Sequence, residues 1–130
     1  MSQENVEIVR RATEAFNRMD AAAVVEMSDS EVEWTTELIG TPVYRGHEGV
    51  RQAFRDVDRA WESWHTELVE ILERGDTVFY GTRATARARA TGITVEAELF
   101  YVAVFRQGKF VRFRGFTERS EALEAAGLSE

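Results

Sequence analysis

The chain opens with apolar positions at helical spacing: Ile8, Ala12, Ala15 and Met19, flanked by Val9, Thr13 and Phe16. This pattern predicts an amphipathic helix over 2–19. Asp20 stands where a cap belongs, ahead of a short helix over 21–27. Asp29 and Ser30 break the pattern, and Val32-Glu33-Trp34-Thr35-Thr36 reads as a short strand. Gly40-Thr41-Pro42 reads as a loop. Gly46-His47-Glu48-Gly49 opens a third helix, whose apolar stripe runs Val50, Ala53, Phe54, Val57, Trp61 and Trp64.

From Trp64 onward the period changes from 3.6 to 2, which predicts strands over 64–73, 77–90, 93–106 and 109–117. The joints Arg74-Gly75-Asp76, Thr91-Gly92 and Gln107-Gly108 are short and carry glycine, as antiparallel hairpins require. A last helix over 120–126 stops at Gly127. Helices first and hairpin-linked strands afterwards give an α+β fold, with strands long enough to bend around the long helix as a cone. No repeat or linker composition divides the chain, so 1–130 is expected to be one domain.

A net charge of -7 argues against a nucleic-acid partner. The absence of cysteine removes thiolate metal sites, thiol nucleophiles and disulfides. Two histidines far apart make no metal site, and no run reaches the roughly 20 apolar residues of a membrane helix. A cytoplasmic location is the resulting expectation.

The order of elements resembles the cone-shaped superfamily of nuclear transport factor 2, ketosteroid isomerase, scytalone dehydratase and limonene epoxide hydrolase. The carrying residues are Val32-Glu33-Trp34, Tyr44-Arg45-Gly46-His47-Glu48-Gly49-Val50, Gly75-Asp76-Thr77-Val78, Gln107-Gly108-Lys109-Phe110-Val111-Arg112 and the tail Glu121 to Leu128. More narrowly, the chain is similar to SnoaL-like (polyketide-cyclase-like) proteins. The resemblance implies an NTF2-like (cystatin-like) curved antiparallel sheet around a long helix, with a small-molecule pocket and no cofactor. The isomerase's catalytic machinery does not carry over: its base position falls on Trp34, its oxyanion-hole tyrosine on Ala12 and its protonated aspartate near Tyr101.

Strand alternation sorts residues into faces, but both faces are substantially apolar, so periodicity does not choose the inner one. The resemblance places Phe79, Arg83, Leu99, Tyr101, Phe113 and Thr117 inward, with His65, Glu67 and Val69. Tyr101, Arg83, His65 and Glu67 are then the candidate catalytic groups, the first two for oxyanion charge and the last two for proton transfer. Trp34, Phe54, Trp61, Phe79, Leu99, Phe113 and Thr117 are the candidate ligand contacts. The expected function is a cofactor-independent acid–base enzyme of isomerase, cyclase, dehydratase or hydrolase type, acting on a small hydrophobic or carbonyl-bearing compound. The competing expectation is a non-catalytic binding or dimerisation module. A homodimer through the outer sheet face is expected, with Phe100, Val102, Val104 and Phe116 as contacts.

Overall fold

The computed structural model describes residues 2–35 and 43–128. Thr36 and the Gly40-Thr41-Pro42 loop lie outside these. The elements are α1 (Ser2–Asn17), α2 (Ala21–Glu26), β1 (Ser28–Thr35), β2 (Val43–Arg45), α3 (Gly46–Ala60), β3 (Trp61–Arg74), β4 (Thr77–Ala88), β5 (Thr94–Arg106), β6 (Lys109–Phe116) and α4 (Arg119–Ala125). They match the sequence expectation in kind and order, with β2 added. The long helix ends at Ala60, so Trp61 and Trp64 start β3 rather than continuing the helical stripe.

The six strands form one curved sheet in the order β2-β1-β6-β5-β4-β3. The hairpins from β3 to β6 pair antiparallel, as their glycine-bearing joints demand. The β1–β6 pair is parallel, with Trp34 opposite Phe113, so the sheet is mixed rather than purely antiparallel. Hairpin chemistry reports only neighbours in sequence, and β1 meets β6 across most of the chain.

Helices α1 and α3 lie on the concave face. Ile8, Val9, Ala12 and Ala15 of α1 and Val50, Ala53 and Phe54 of α3 are buried there, with Val78, Tyr80, Ala103 and Phe110 beneath them. The Asp20 side chain accepts from the Ala23 amide and caps α2. Strand β3 is a sheet edge, and Asn17 satisfies it at one point. Its side-chain amide donates to the Thr66 carbonyl at 2.9 Å and its Oδ1 accepts from the Thr66 amide at 2.8 Å. This two-pronged bond fixes the end of α1 against β3.

The outer face is covered at one end by α4. Phe79, Phe100 and Val102 of the sheet pack with Ala122 and Leu123 of the helix and with Ala126 just past it. Arg119 pairs with Glu70, and Arg114 donates to the Ala125 carbonyl at 3.2 Å. Phe100 and Val102 therefore do not form the bare patch expected of a dimer surface, because α4 is the helix that covers them. Phe116 packs against the same cluster.

Close approach sets one glycine. A Cβ on Gly49 would lie 2.8 Å from the Tyr44 carbonyl carbon, a backbone atom that cannot turn aside. Alanine is the better helix former by about 1 kcal/mol. Gly49→Ala is nevertheless expected to destabilise by about 1–3 kcal/mol, because α3 must move off β2. Urea unfolding checks the sign, and a stabilised variant would refute this close packing.

Candidate functional site

The concave face holds a cavity between the C-terminal halves of α1 and α3 and the sheet. Helix α1 contributes Thr13 and Phe16, with Met19 just beyond it; α3 contributes Phe54 and Val57. Trp61, Trp64 and Thr66 of β3, Tyr80 and Thr82 of β4, Tyr101 of β5, Phe113 of β6 and Trp34 of β1 complete the wall. Water centres can occupy about 60 Å³ of it, against the ~10–15 Å³ that one water needs. Aromatic rings dominate the lining. Phe16 stacks on Phe54 at 4.8 Å between centroids, and Trp34 meets Phe16 and Phe113 edge-on at 5.4 and 5.3 Å.

Tyr80 and Tyr101 are direct cross-strand partners, so both point to the concave side, their rings stacked at 5.2 Å. Neither phenol oxygen has a hydrogen-bond partner among the described residues. Burial pushes both phenols well above their ordinary pKa, and the neighbouring Tyr101 adds to the shift of Tyr80. Both are neutral O–H donors at physiological pH. The Trp34 indole nitrogen, a third donor, is also buried without a partner. The Thr82 hydroxyl is engaged with the Leu99 carbonyl at 3.1 Å, and Thr13 with the Val9 carbonyl at 2.9 Å. Two unpartnered phenol donors in an aromatic cavity suit a ligand that is largely apolar and carries an acceptor oxygen.

Of the residues singled out in the sequence, Trp34, Phe54, Trp61, Tyr101 and Phe113 line this cavity. Leu99 shares the concave face, opposite Thr82, but is not among the lining residues. The rest lie elsewhere. Phe79 is fully buried on the outer face under α4. Thr117 is exposed just past the end of β6. Arg83 also faces outward, its side chain 53% exposed and 4.0 Å from Glu98 on the next strand. Glu67 stands opposite Arg83 on the same outer side, and His65 opposite Thr85. Both are exposed. The expected inward guanidinium is thus overturned: solvent and a surface carboxylate satisfy it.

The concave face of β4 carries Tyr80, Thr82, Ala84 and Ala86, one residue out of step with the expectation. On β3 it carries Trp64, Thr66 and Leu68, and a bulge between Leu68 and Glu70 turns Val69 out to 59% exposure. Sequence reasoning missed Tyr80, Thr82, Thr66, Phe16 and Met19. A signal was present in Arg83, Arg87 and Arg89 alternating with alanines: long charged side chains take the solvated face, which sends the alanines and their in-phase Tyr80 inward.

Among the described residues, no group of histidines and carboxylates could hold a metal, and no helix is long and apolar enough to cross a membrane.

Comparison with known proteins agrees with this architecture. The family model for the SnoaL-like domain matches residues 9–113. The phenazine biosynthesis protein PhzA2 of Pseudomonas aeruginosa is 27% identical over 97% of this chain and 86% of its own length. An NTF2-like protein from Burkholderia pseudomallei superposes with a TM-score of 0.81 at 22% identity, covering 95% of this chain and 97% of that one. TerC, co-crystallised with polyporic acid, superposes at 0.80 with 19% identity over the same shares. With both the family model and the NTF2-like cone in agreement, the chain belongs to the SnoaL-like domain family.

Proposed function

We propose that this protein binds a small, largely apolar carbonyl compound in the concave cavity and holds its oxygen with the phenols of Tyr80 and Tyr101. The observation that carries the reading is the pair of stacked, neutral, unpartnered phenols in an aromatic wall. A carbonyl oxygen accepts two such bonds, and the surrounding rings replace the water its carbon skeleton leaves behind. The family relationship to PhzA2 and the likeness of the fold to TerC, co-crystallised with polyporic acid, are consistent with a small-molecule ligand.

The test is equilibrium binding of acetophenone, read by quenching of tryptophan fluorescence, since Trp34, Trp61 and Trp64 all line the cavity. Saturable binding is expected. Because both phenols titrate above their ordinary value, affinity should stay flat from about pH 6 to about pH 9 and fall only as the phenols ionise. A bell-shaped profile in that range would mean that a carboxylate or imidazole takes part, and would overturn the assignment.

Acid–base catalysis on the same carbonyl is a second reading, favoured by the same pair, because neutral donors also stabilise an enolate oxygen. Binding ranks ahead of it because no carboxylate, imidazole or amine is among the described residues that line the cavity. Exchange of the acetophenone methyl protons in heavy water separates the two: acceleration over buffer marks catalysis, and the buffer rate marks binding alone.

The proposed assembly is a homodimer through the part of the outer face that α4 leaves bare. There Glu67, Arg83 and Glu98 stand side by side across β3, β4 and β5. A twofold axis passing between Arg83 and Glu98 sets each against the other's copy, so that opposite charges face. Light scattering at micromolar concentration is expected to give a dimer mass, and Arg83→Glu to shift it toward the monomer. A monomer mass for the unaltered protein would refute the assembly.

A further inference from the structure

Behind the main cavity lies a second, smaller void lined by Val24, Ser28, Val32, Val50 and Phe110. It offers about 20 Å³ to water centres. Phe16, Trp34 and Phe113 border both spaces, so the two are separated by side chains and not by backbone. Phe16 is the most movable of the three. It reaches in from α1 and is half-buried, whereas Trp34 and Phe113 sit on paired strands with 6% and 8% exposure. Trp34 is thus part of this partition, and its indole N–H is buried without a partner.

From this juxtaposition we infer that the two voids are lobes of one elongated site, with Phe16 as the residue that sets ligand length. The inference rests on the carbonyl-binding reading of the main cavity and extends it to a ligand with two acceptor oxygens. The first oxygen meets the phenols of Tyr80 and Tyr101. The second meets the Trp34 indole, which otherwise remains a buried donor without a partner. Among the described residues the inner lobe is apolar: the Ser28 hydroxyl already donates to the Val24 carbonyl at 2.7 Å. An alkyl or aryl tail is what it accommodates. With Phe16 in place, the tail of a longer ligand runs out through the mouth, where extra methylenes gain nothing. With Phe16 cut back, the same tail runs inward and each methylene gains burial, about fourfold in affinity apiece.

The experiment uses acetophenone, butyrophenone and hexanophenone against the unaltered protein, Phe16→Ala and Phe16→Leu, all by tryptophan quenching. The leucine variant guards against loss of fold in the alanine one, since Phe16 also stacks on Phe54. The unaltered protein is expected to show a plateau after the shorter ketones. Both variants are expected to continue rising to hexanophenone, by at least about tenfold over acetophenone. A second comparison sets phenacylacetone against valerophenone, which has the same skeleton and one carbonyl fewer. The diketone should bind about 3–10-fold tighter, and Trp34→Phe should remove that advantage, read as the ratio of diketone to valerophenone affinity within each form of the protein. If acetophenone fails to bind the unaltered protein, the carbonyl-binding reading itself is wrong. If acetophenone binds all three forms but the length profile is the same in each, the partition is refuted while that reading stands. An undiminished diketone advantage in Trp34→Phe refutes the second acceptor.

Discussion

Replacing Phe79 with alanine is expected to destabilise the protein by about 3–5 kcal/mol while leaving acetophenone affinity within about twofold. Phe79 is wholly buried between the outer face of the sheet and α4, where its ring stacks on Phe100 at 6.4 Å and Arg119 sits 5.7 Å above it. Truncation leaves a void that α4 fills poorly. This helix has only seven residues, and its buried contacts are Ala122 and Leu123, with Ala126 just past its end. The cavity lies across the sheet, so its wall keeps every side chain. Urea unfolding and fluorescence quenching on one sample decide the matter. A near-native midpoint together with lost binding would put Phe79 in the cavity and reverse the facing of β4.

That facing is where the sequence reading and the structure part, and the physical reason is local. A strand buried on one face alternates cleanly, but Val78, Phe79, Tyr80, Gly81 and Thr82 are all buried. The helices cover one side and α4 the other, so apolar content alone carries no phase. Only from Arg83 onward, past the reach of α4, does alternation return, with exposed Arg83, Thr85 and Arg87 against buried Ala84 and Ala86. On β3 the bulge at Val69 adds one residue and spoils a phase counted from either end. The phase of β5 was legible, since Leu99 and Tyr101 do share the concave face.

The helices, the hairpin joints and the final stop were legible because each has a short-range cause. Asp20 caps α2 as its side chain requires, and Gly127 takes φ 76, a left-handed conformation that ends α4. The parallel β1–β6 pair and the three-residue β2 have no such cause and depend on long-range docking. The candidate site divides along the same line. Trp34, Phe54, Trp61, Tyr101 and Phe113 reach the cavity because bulky aromatics on a concave face have nowhere else to go. Arg83, Glu67 and His65 were assigned by resemblance, and the misread phase of β3 and β4 carried them to the wrong side of the sheet.

The phenol pair gives the expectation that most directly separates a site from a core. In the double variant Tyr80→Phe/Tyr101→Phe, acetophenone affinity is expected to fall about 10–100-fold, while the stability of the ligand-free protein holds or rises. The first effect follows from removing two donors, each worth about 0.5–1.5 kcal/mol net, and from leaving the ligand's oxygen buried without a partner. The second follows because neither hydroxyl has a protein partner to lose, and an apolar ring edge suits the aromatic wall around it. The ring stack at 5.2 Å survives, since phenylalanine keeps the ring. Opposite signs on binding and stability are the signature of groups placed for a ligand at the expense of the fold. The single variants should each show less than half of the binding loss, measured as free energy, because the remaining phenol still satisfies the shared oxygen. Thermal melts of the ligand-free variants and quenching titrations of the same preparations supply both readouts. A double variant that melts earlier and still binds acetophenone would make the tyrosines structural and send the carbonyl elsewhere.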